Sequence, residues 1–393
     1  MQLFFQMCYF ASMQFHEVVG QLDTKTKLLT QVAENRISHA QLFLSPHGAG
    51  NLALAIAFAQ YVLCENKQAH DACGVCAACR KVQKLTHPDL HFSYPFFAKH
   101  KEDTSETFIS QWRTAVLKNP YLDIDEWRTY FDEDNKQANI NIAECHRIIK
   151  TWGLKPFEAT YKILIMWLPE YLEKEGNTLL KLIEEPPPNT LFILVAHRAE
   201  QVLTTILSRT QLIKMPALTQ AEISQFLMNR PQVSAEQATQ LAYLSEGSLQ
   251  NALQYLRQEE SDYFQLLSEW LRMCFANQGL KITSFVEEMS KMGRENQKNF
   301  WRYALKLLRE ILLVKHHCPQ LTHVTEREKN FIANLSKAIH TPQIEALIIE
   351  IEKAHYHTER NANPKILFLD VSLQLVKILM FKILPKEVQN IIA

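Results

Sequence analysis

The chain has no excess of charge. Its 393 residues carry 42 Lys and Arg against 42 Asp and Glu, a formal net charge of zero. That removes any global pull toward nucleic acid and leaves only a local basic face to supply one. Glycine is scarce, at nine residues, and apolar-periodic stretches are long, so helix is expected to be the major element. No run of about 18 or more apolar residues occurs, which excludes a predicted membrane-spanning helix. Evenly spread cysteines, the mark of a secreted disulfide framework, are also missing. Of the eight cysteines, at 8, 64, 73, 76, 79, 145, 274 and 318, four lie between positions 64 and 79. Cytoplasmic thiols with one metal site fit that distribution. The first twelve residues, MQLFFQMCYFAS, lack a basic start and a clear cleavage site, so a signal peptide is not expected. Either they are translated or Met13 is the start, since coherent patterning begins at Gln14.

A further absence is local. Leu44-Ser45-Pro46-His47-Gly48-Ala49-Gly50-Asn51-Leu52 has the outline of a phosphate-binding loop, which requires Gly-x-x-x-x-Gly-Lys-Ser/Thr. Ser45 replaces the first glycine, while Gly48 and Gly50 keep the turn. Asn51 stands in place of the lysine and Leu52 in place of the hydroxyl. Asn brings no charge to a phosphate, and Leu cannot ligate Mg²⁺. Gln41–Leu44 before the loop reads as a buried strand, and Leu52–Leu63 after it as a helix packed on a sheet. That strand–loop–helix context makes the motif credible, and no functional ATP site is expected.

Further apolar strands are predicted at 162–166, 191–195 and 211–215, with helices between them. The pattern argues for an α/β domain with a parallel sheet covered on both faces. Residues 96–138 are rich in charge and aromatics and read as an inserted, mostly surface segment, either a loop expansion or a partner-docking element. Strands end near 218. Thr219-Gln220-Ala221-Glu222 and Ser234-Ala235-Glu236-Gln237 are helix starts, giving a small helical unit over 219–258. An all-helical block fills 260–393. Its last long helix is predicted to start at Asn363-Pro364, a cap followed by Pro in the first turn. Ile366, Leu369, Leu373, Val376 and Leu379 form its apolar stripe, open to core or subunit packing.

Cys64, Cys73, Cys76 and Cys79 form two overlapping C-x-x-C units plus one upstream thiol. Four thiolates suit a tetrahedral, structural Zn²⁺ with no open position for water. The spacing matches neither common ferredoxin pattern. Arg80, Lys81 and Lys84 are expected to offset the site's negative charge.

Four stretches together resemble the delta-prime family of bacterial DNA polymerase III clamp-loader subunits, within the AAA+ superfamily. They are His39–Leu44 leading into the loop, and the cysteine cluster followed by His87-Pro88-Asp89. The others are Asn177–Pro187, with its Leu-Leu-Lys-Leu-Ile-Glu-Glu-Pro-Pro, and Thr205–Thr210, a Ser-Arg-Cys-like motif with Thr for Cys. The ATP-binding gamma and tau subunits are close relatives of that family. In an active member the strand at 162–166 ends in an acidic pair. Here Met166 and Trp167 occupy those places, and Asn251 falls where a nucleotide-sensing arginine is implied. Four concordant losses imply a subunit that does not hydrolyse ATP, although amide N–H groups of the loop could still hold phosphate.

What the resemblance leaves intact is Arg209, implied to be an arginine finger offered in trans to ATP on a neighbouring subunit. A planar, permanently charged fork suits that role. Glu184 and Glu185 close a helix where acidic residues oppose the dipole, so an offset is expected, whether solvent or an intersubunit contact. The implied protein has three domains: a 13–218 AAA+-like α/β domain with a zinc module at 64–79, a 219–258 helical lid, and a 260–393 helical collar. Its implied partners are gamma/tau and delta subunits, with the sliding clamp and primer-template DNA reached through the assembly, as part of a cytoplasmic polymerase holoenzyme. Two rivals stay open: a divergent gamma/tau-like ATPase, and a zinc-ribbon nucleic-acid binder.

Overall fold

Period-two alternation sorts the strand residues onto two apolar faces. A computed structural model describes residues 14–131, 137–230, 233–257, 263–316 and 326–383. The alternative start at Met13 and the leader lie outside these residues. The chain divides into two units, Met1–Leu256 and Arg257–Ala393.

In the first unit the strands are β1 (Ala40–Leu44), β2 (Leu90–Ser93), β3 (Lys162–Trp167), β4 (Thr190–Ala196) and β5 (Gln211–Lys214). They form one sheet in the order β2-β3-β4-β1-β5, and every pairing is parallel. The α/β parallel architecture expected from the sequence is therefore present. Short β2, with its mixed Leu-His-Phe-Ser sequence, escaped the periodicity reading. Phe43, Ile163, Ile165, Trp167, Ile193 and Val195 point into one core. Leu42, Leu164, Met166, Phe192 and Leu194 point into the other. Helices cover both faces, as a parallel sheet requires. The helix Asn51–Leu63 follows β1, and all its residues are buried. The helix Ile142–Trp152 buries Ile148 and Trp152 in the opposite core.

The 96–138 segment corrects the sequence reading. Trp112 and Trp127 are fully buried and meet edge to face at 5.4 Å, a favourable ring geometry. Tyr94 stacks on Trp112 at 4.1 Å, and Trp112 reaches Trp167 at 5.2 Å. Among its described residues the segment is therefore not a surface loop: Phe96, Phe97, Trp112, Tyr121 and Trp127 are buried in the core, and exposed residues such as Lys99, Glu102 and Glu106 lie between them. The small helical unit begins as expected, with Thr219/Glu222 and Ser234/Gln237 capping boxes. Its Ile223, Leu227, Leu241 and Leu249 share the core of the first unit.

The second unit is helical throughout its described residues. Its core includes Trp270, Trp301, Phe300 and Phe368. Buried indole N–H groups find hydroxyls, Trp270 on Ser372 at 2.9 Å and Trp301 on Thr358 at 3.0 Å, as burial of a polar group demands. Asn363 caps the last helix through the N–H groups of Lys365 and Ile366, with Pro364 in its first turn. The predicted stripe on this helix splits. Val376 and Leu379 are buried, whereas Ile366, Leu369 and Leu373 are exposed.

His87-Pro88-Asp89 has a structural purpose. Asp89 is almost fully buried, and its carboxylate accepts from Phe157 N at 2.5 Å, Glu158 N at 2.9 Å and Ala159 N at 2.8 Å. Burial alone would raise its pKa, but these three amides outweigh burial and hold the carboxyl below its ordinary value. Asp89 thereby fixes the loop leading into β3. A depressed carboxyl stabilises the fold above the unfolded value of about 3.9 and loses that contribution as pH falls through the folded value. Asp89→Ala is expected to cost about 1–3 kcal/mol at neutral pH, because three backbone N–H groups lose an ionised partner. Urea melts should show the difference between wild type and variant shrinking below about pH 4. A pH-independent difference would contradict this role.

Candidate nucleotide loop, arginine and metal centre

The loop after β1 forms the expected turn, and side chains of the same chain surround it. Gly48 and Gly50 take φ of +72° and +91°, where an L side chain is strained. A Cβ on Gly48 would collide with Ser248 Oγ, and one on Gly50 would lie 2.7 Å from Tyr121 Cε1. The glycines are therefore required by packing, apart from any phosphate. Asn51 turns inward: its amide donates to Ala196 O at 3.0 Å, and its Oδ1 accepts from Leu52 N at 3.0 Å. Leu52 is in the core. His47 stacks on His197, with centroids 4.0 Å apart. Burial, and then the neighbouring His47, push His197 down to about 3, so it stays neutral at physiological pH.

The remaining nucleotide-site positions follow the same pattern. Met166 and Trp167 end β3 pointing into opposite apolar cores. Asn251 lies in the helix Leu249–Arg257, its N–H on Ser248 Oγ at 3.2 Å. Glu170, the next acid after β3, accepts from His197 N at 2.6 Å and Arg198 N at 2.9 Å. It caps the end of β4.

Arg209 follows the short helix Thr204–Leu207. Its Nη1 donates to Thr205 O at 2.8 Å and Ser208 Oγ at 3.1 Å. Its Nε and Nη2 both meet Glu184 Oε1. The offset at the acidic end of the Leu180–Glu184 helix is thus an intrachain ion pair, neither the solvent nor the intersubunit contact expected from the sequence. The arginine side chain remains 33% exposed.

The four cysteines come together. Their Sγ atoms all lie within 4.8 Å of one another, and Cys73 and Cys79 are 4.0 Å apart. A tetrahedral thiolate site with metal–sulfur bonds of about 2.3 Å needs sulfurs about 3.8 Å apart, so the set could hold one metal ion. Backbone N–H groups of Cys73, Cys76 and Cys79 donate to the Sγ of Cys64, Cys73 and Cys76 at 3.3–3.4 Å. Gly74, at φ +73°, makes the turn against Gln14. Lys81 differs from expectation, pairing with Glu158 at 2.5 Å.

One connection escaped the sequence reading. Asp71, beside the cysteines, accepts from Phe15 N and His16 N, both at 3.0 Å. Gln14 donates to Ala72 O at 2.6 Å, and Phe15 lies 5.7 Å from Tyr61. The module thus ties down the strap 14–21, which continues to the loop through Gln21 Nε2 on Ala49 O at 3.3 Å. Nothing local in the sequence marks Asp71 for this.

Comparison with known proteins follows the same lines. A family model described as "DNA polymerase III, delta subunit" matches residues 20–219. The tau subunit of DNA polymerase III from Bacillus subtilis is 24% identical over 91% of this chain and 61% of its own length. The delta' subunit from Escherichia coli is 27% identical over 47% of this chain and 45% of its own. The chain thus spans about half the length of these relatives. Among solved structures, the RuvB Holliday junction branch migration motor of Thermotoga maritima overlaps with a TM-score of 0.38 at 15% identity, over 64% of this chain and 65% of its own. A gamma-subunit-related protein from the same organism gives 0.38 at 12%, over 91% and 99%. No described helix is long and apolar enough to cross a membrane.

Asp71→Ala tests the strap. Amide exchange at Phe15 and His16 is expected to accelerate by about tenfold or more, the loss of roughly 1.4 kcal/mol or more of protection, with the four thiols still clustered. Unchanged exchange would remove Asp71 from this role.

Proposed function

We propose a role for this chain from one premise: it belongs to the family described as DNA polymerase III, delta subunit. It works as a cytoplasmic clamp-loader subunit that does not hydrolyse ATP itself and lends Arg209 to ATP held by a neighbour. The observation that carries this reading is the contrast between the two halves of an ATP site. The loop-side positions that would serve a nucleotide are turned inward, with Asn51 on Ala196, Leu52, Met166 and Trp167 in cores, and Glu170 on backbone amides. Arg209, by contrast, is charged and partly exposed, on a short helix end.

The chemistry of that step is charge stabilisation. A guanidinium meets the γ-phosphate oxygens in a fork as charge develops in the transition state. Release from Glu184 is cheap, because an exposed ion pair contributes about 0–1 kcal/mol. Glu184 therefore holds the arginine ready at little cost. The α/β domain (13–218), lid (219–258) and collar (260–393) follow the family arrangement. The exposed Ile366, Leu369 and Leu373 supply collar contacts to gamma/tau and delta subunits. The sliding clamp and primer-template DNA are engaged through the assembly. Zn²⁺ is the ion for the four thiols and is structural, since four protein ligands close the tetrahedron.

A second reading, a gamma/tau-like ATPase, is favoured by the breadth of the tau match, 91% of this chain. It requires ATP turnover by the isolated chain, and the inward-turned loop residues oppose it.

Arg209→Ala is expected to lower the DNA- and clamp-stimulated ATPase of the assembled complex by about tenfold. That is less than the roughly 10³–10⁵ of GTPase fingers, because other sites in the ring continue to fire. The isolated wild-type chain should show no turnover. An unchanged rate in the complex would reject the finger. Metal analysis of purified protein should find about one zinc per chain, and Cys73→Ser should lower both zinc content and the thermal midpoint.

A further inference from the structure

The segment that carries three of the four clustered cysteines has no regular structure of its own. Between Leu63 and Ala77 the chain forms neither helix nor strand. Cys64 lies at one end of this segment, Cys73 and Cys76 at the other, and Cys79 joins them from the helix Ala77–Gln83. Ordering such a segment costs about 1–2 kcal/mol per residue of backbone. Thiols alone offset little of that, because S–H is a weak donor and sulfur a weak acceptor. An ion held by four thiolates offsets much more, and its binding free energy is then the folding free energy of the segment.

The near end of the strap 14–21 is fixed to this segment. Phe15 N and His16 N donate to Asp71, and Gln14 Nε2 donates to Ala72 O. Gln14 also lies against Gly74, where a Cβ would come 2.6 Å from its Oε1. The far end of the strap is fixed elsewhere. Val19 N donates to Tyr121 Oη at 2.9 Å, and Gln21 Nε2 donates to Pro216 O at 2.8 Å. Gly20, at φ +61°, packs on the entry of the small helical unit, where a Cβ would lie 2.5 Å from Glu222 Oε1 and 2.9 Å from Leu218 Cδ2. Glu222 is the acid of the capping box that starts the helix Gln220–Met228, accepting from Thr219 N at 2.8 Å. Lys25 links both ends: its Nζ donates to Val18 O at 2.5 Å, and the Asp71 and Glu222 carboxylates both favour its charge.

We propose that the thiol site is a metal-dependent latch on the small helical unit. With an ion on Cys64, Cys73, Cys76 and Cys79 the 64–76 segment is fixed, that segment fixes the strap, and the strap fixes the entry of the unit at Pro216–Glu222. Loss of the ion frees the strap and loosens the entry, while the sheet stays folded. A purely local site would order its own segment and nothing beyond it. The inference rests on reading the four thiols as a zinc site, and it gives that site a consequence far away in sequence.

The test follows amide exchange in the full chain, zinc-loaded and after the metal is stripped with a chelator under reducing conditions, with Zn²⁺ added back as control. Exchange is read at Phe15 and His16, at Leu218, whose N–H donates to Gly247 O at 3.1 Å, at Glu222, and at β3 as reference. Stripping is expected to accelerate exchange about tenfold at Phe15 and His16 and about threefold or more at Leu218 and Glu222, with β3 unchanged and Zn²⁺ restoring protection. Acceleration confined to the strap and the thiol segment, with Leu218 and Glu222 unchanged, overturns the latch. Should the stripped chain unfold as a whole, zinc-loaded Asp71→Ala decides. Faster exchange at Leu218 and Glu222 with full zinc content supports the latch, and unchanged exchange there overturns it. Purified protein that carries no metal removes the zinc reading and the latch together, whereas a latch that fails on zinc-loaded protein leaves the zinc reading standing.

Discussion

The turn from β1 into the helix Asn51–Leu63 has no spare room, and much of the first unit is arranged around that fact. Gly48 backs onto Ser248 and Gly50 onto Tyr121, so two different segments converge on a few backbone atoms. The strap 14–21 reaches the same place from the metal module, and the end of β4 reaches it through Ala196 and His197. In an open phosphate loop these surroundings would belong to a ligand. Here they belong to the chain. A glycine-bearing loop therefore persists as an architectural joint, where a larger residue would face both a strained φ and a collision.

The same logic gives Arg209 its meaning. Its neighbours leave it charged, oriented and partly exposed, while the side chains at the loop are neutral or turned inward. Glu184 holds it through a partly exposed ion pair, which in the proposed finger role is weak enough to exchange for phosphate oxygens. It also resolves the oddity of a carboxylate at a helix C-terminus, where the dipole disfavours it. A tighter, fully buried pair would have trapped the arginine, since breaking one is strongly destabilising.

Much of this was legible in the residues. Four strands declared themselves as short runs, and both faces being covered explains why β1, β3 and β4 read as continuous rather than alternating, while the edge strand β5 exposes Leu212. The cysteines were legible because ligand spacing is a local property, and the Asn363-Pro364 start because capping is local too. What stayed hidden depends on distant segments meeting. The 96–138 segment looked like surface because its charges dominate its composition, yet Trp112 and Trp127 pack at the centre of an aromatic cluster. Tyr121 carries no signature, since its role exists only when residue 121 meets residues 19 and 50. Lys81 sits beside the cysteines in sequence but pairs with Glu158 across the fold.

The most direct measurement is an add-back experiment. ATP-binding relatives are assembled with and without this chain, and clamp-stimulated ATP turnover is followed per ATP-binding subunit. The account predicts that adding the chain raises turnover at its neighbours while no ATP is bound or hydrolysed on the chain itself. Turnover that is unchanged by the addition, or that appears on the added chain, would contradict it.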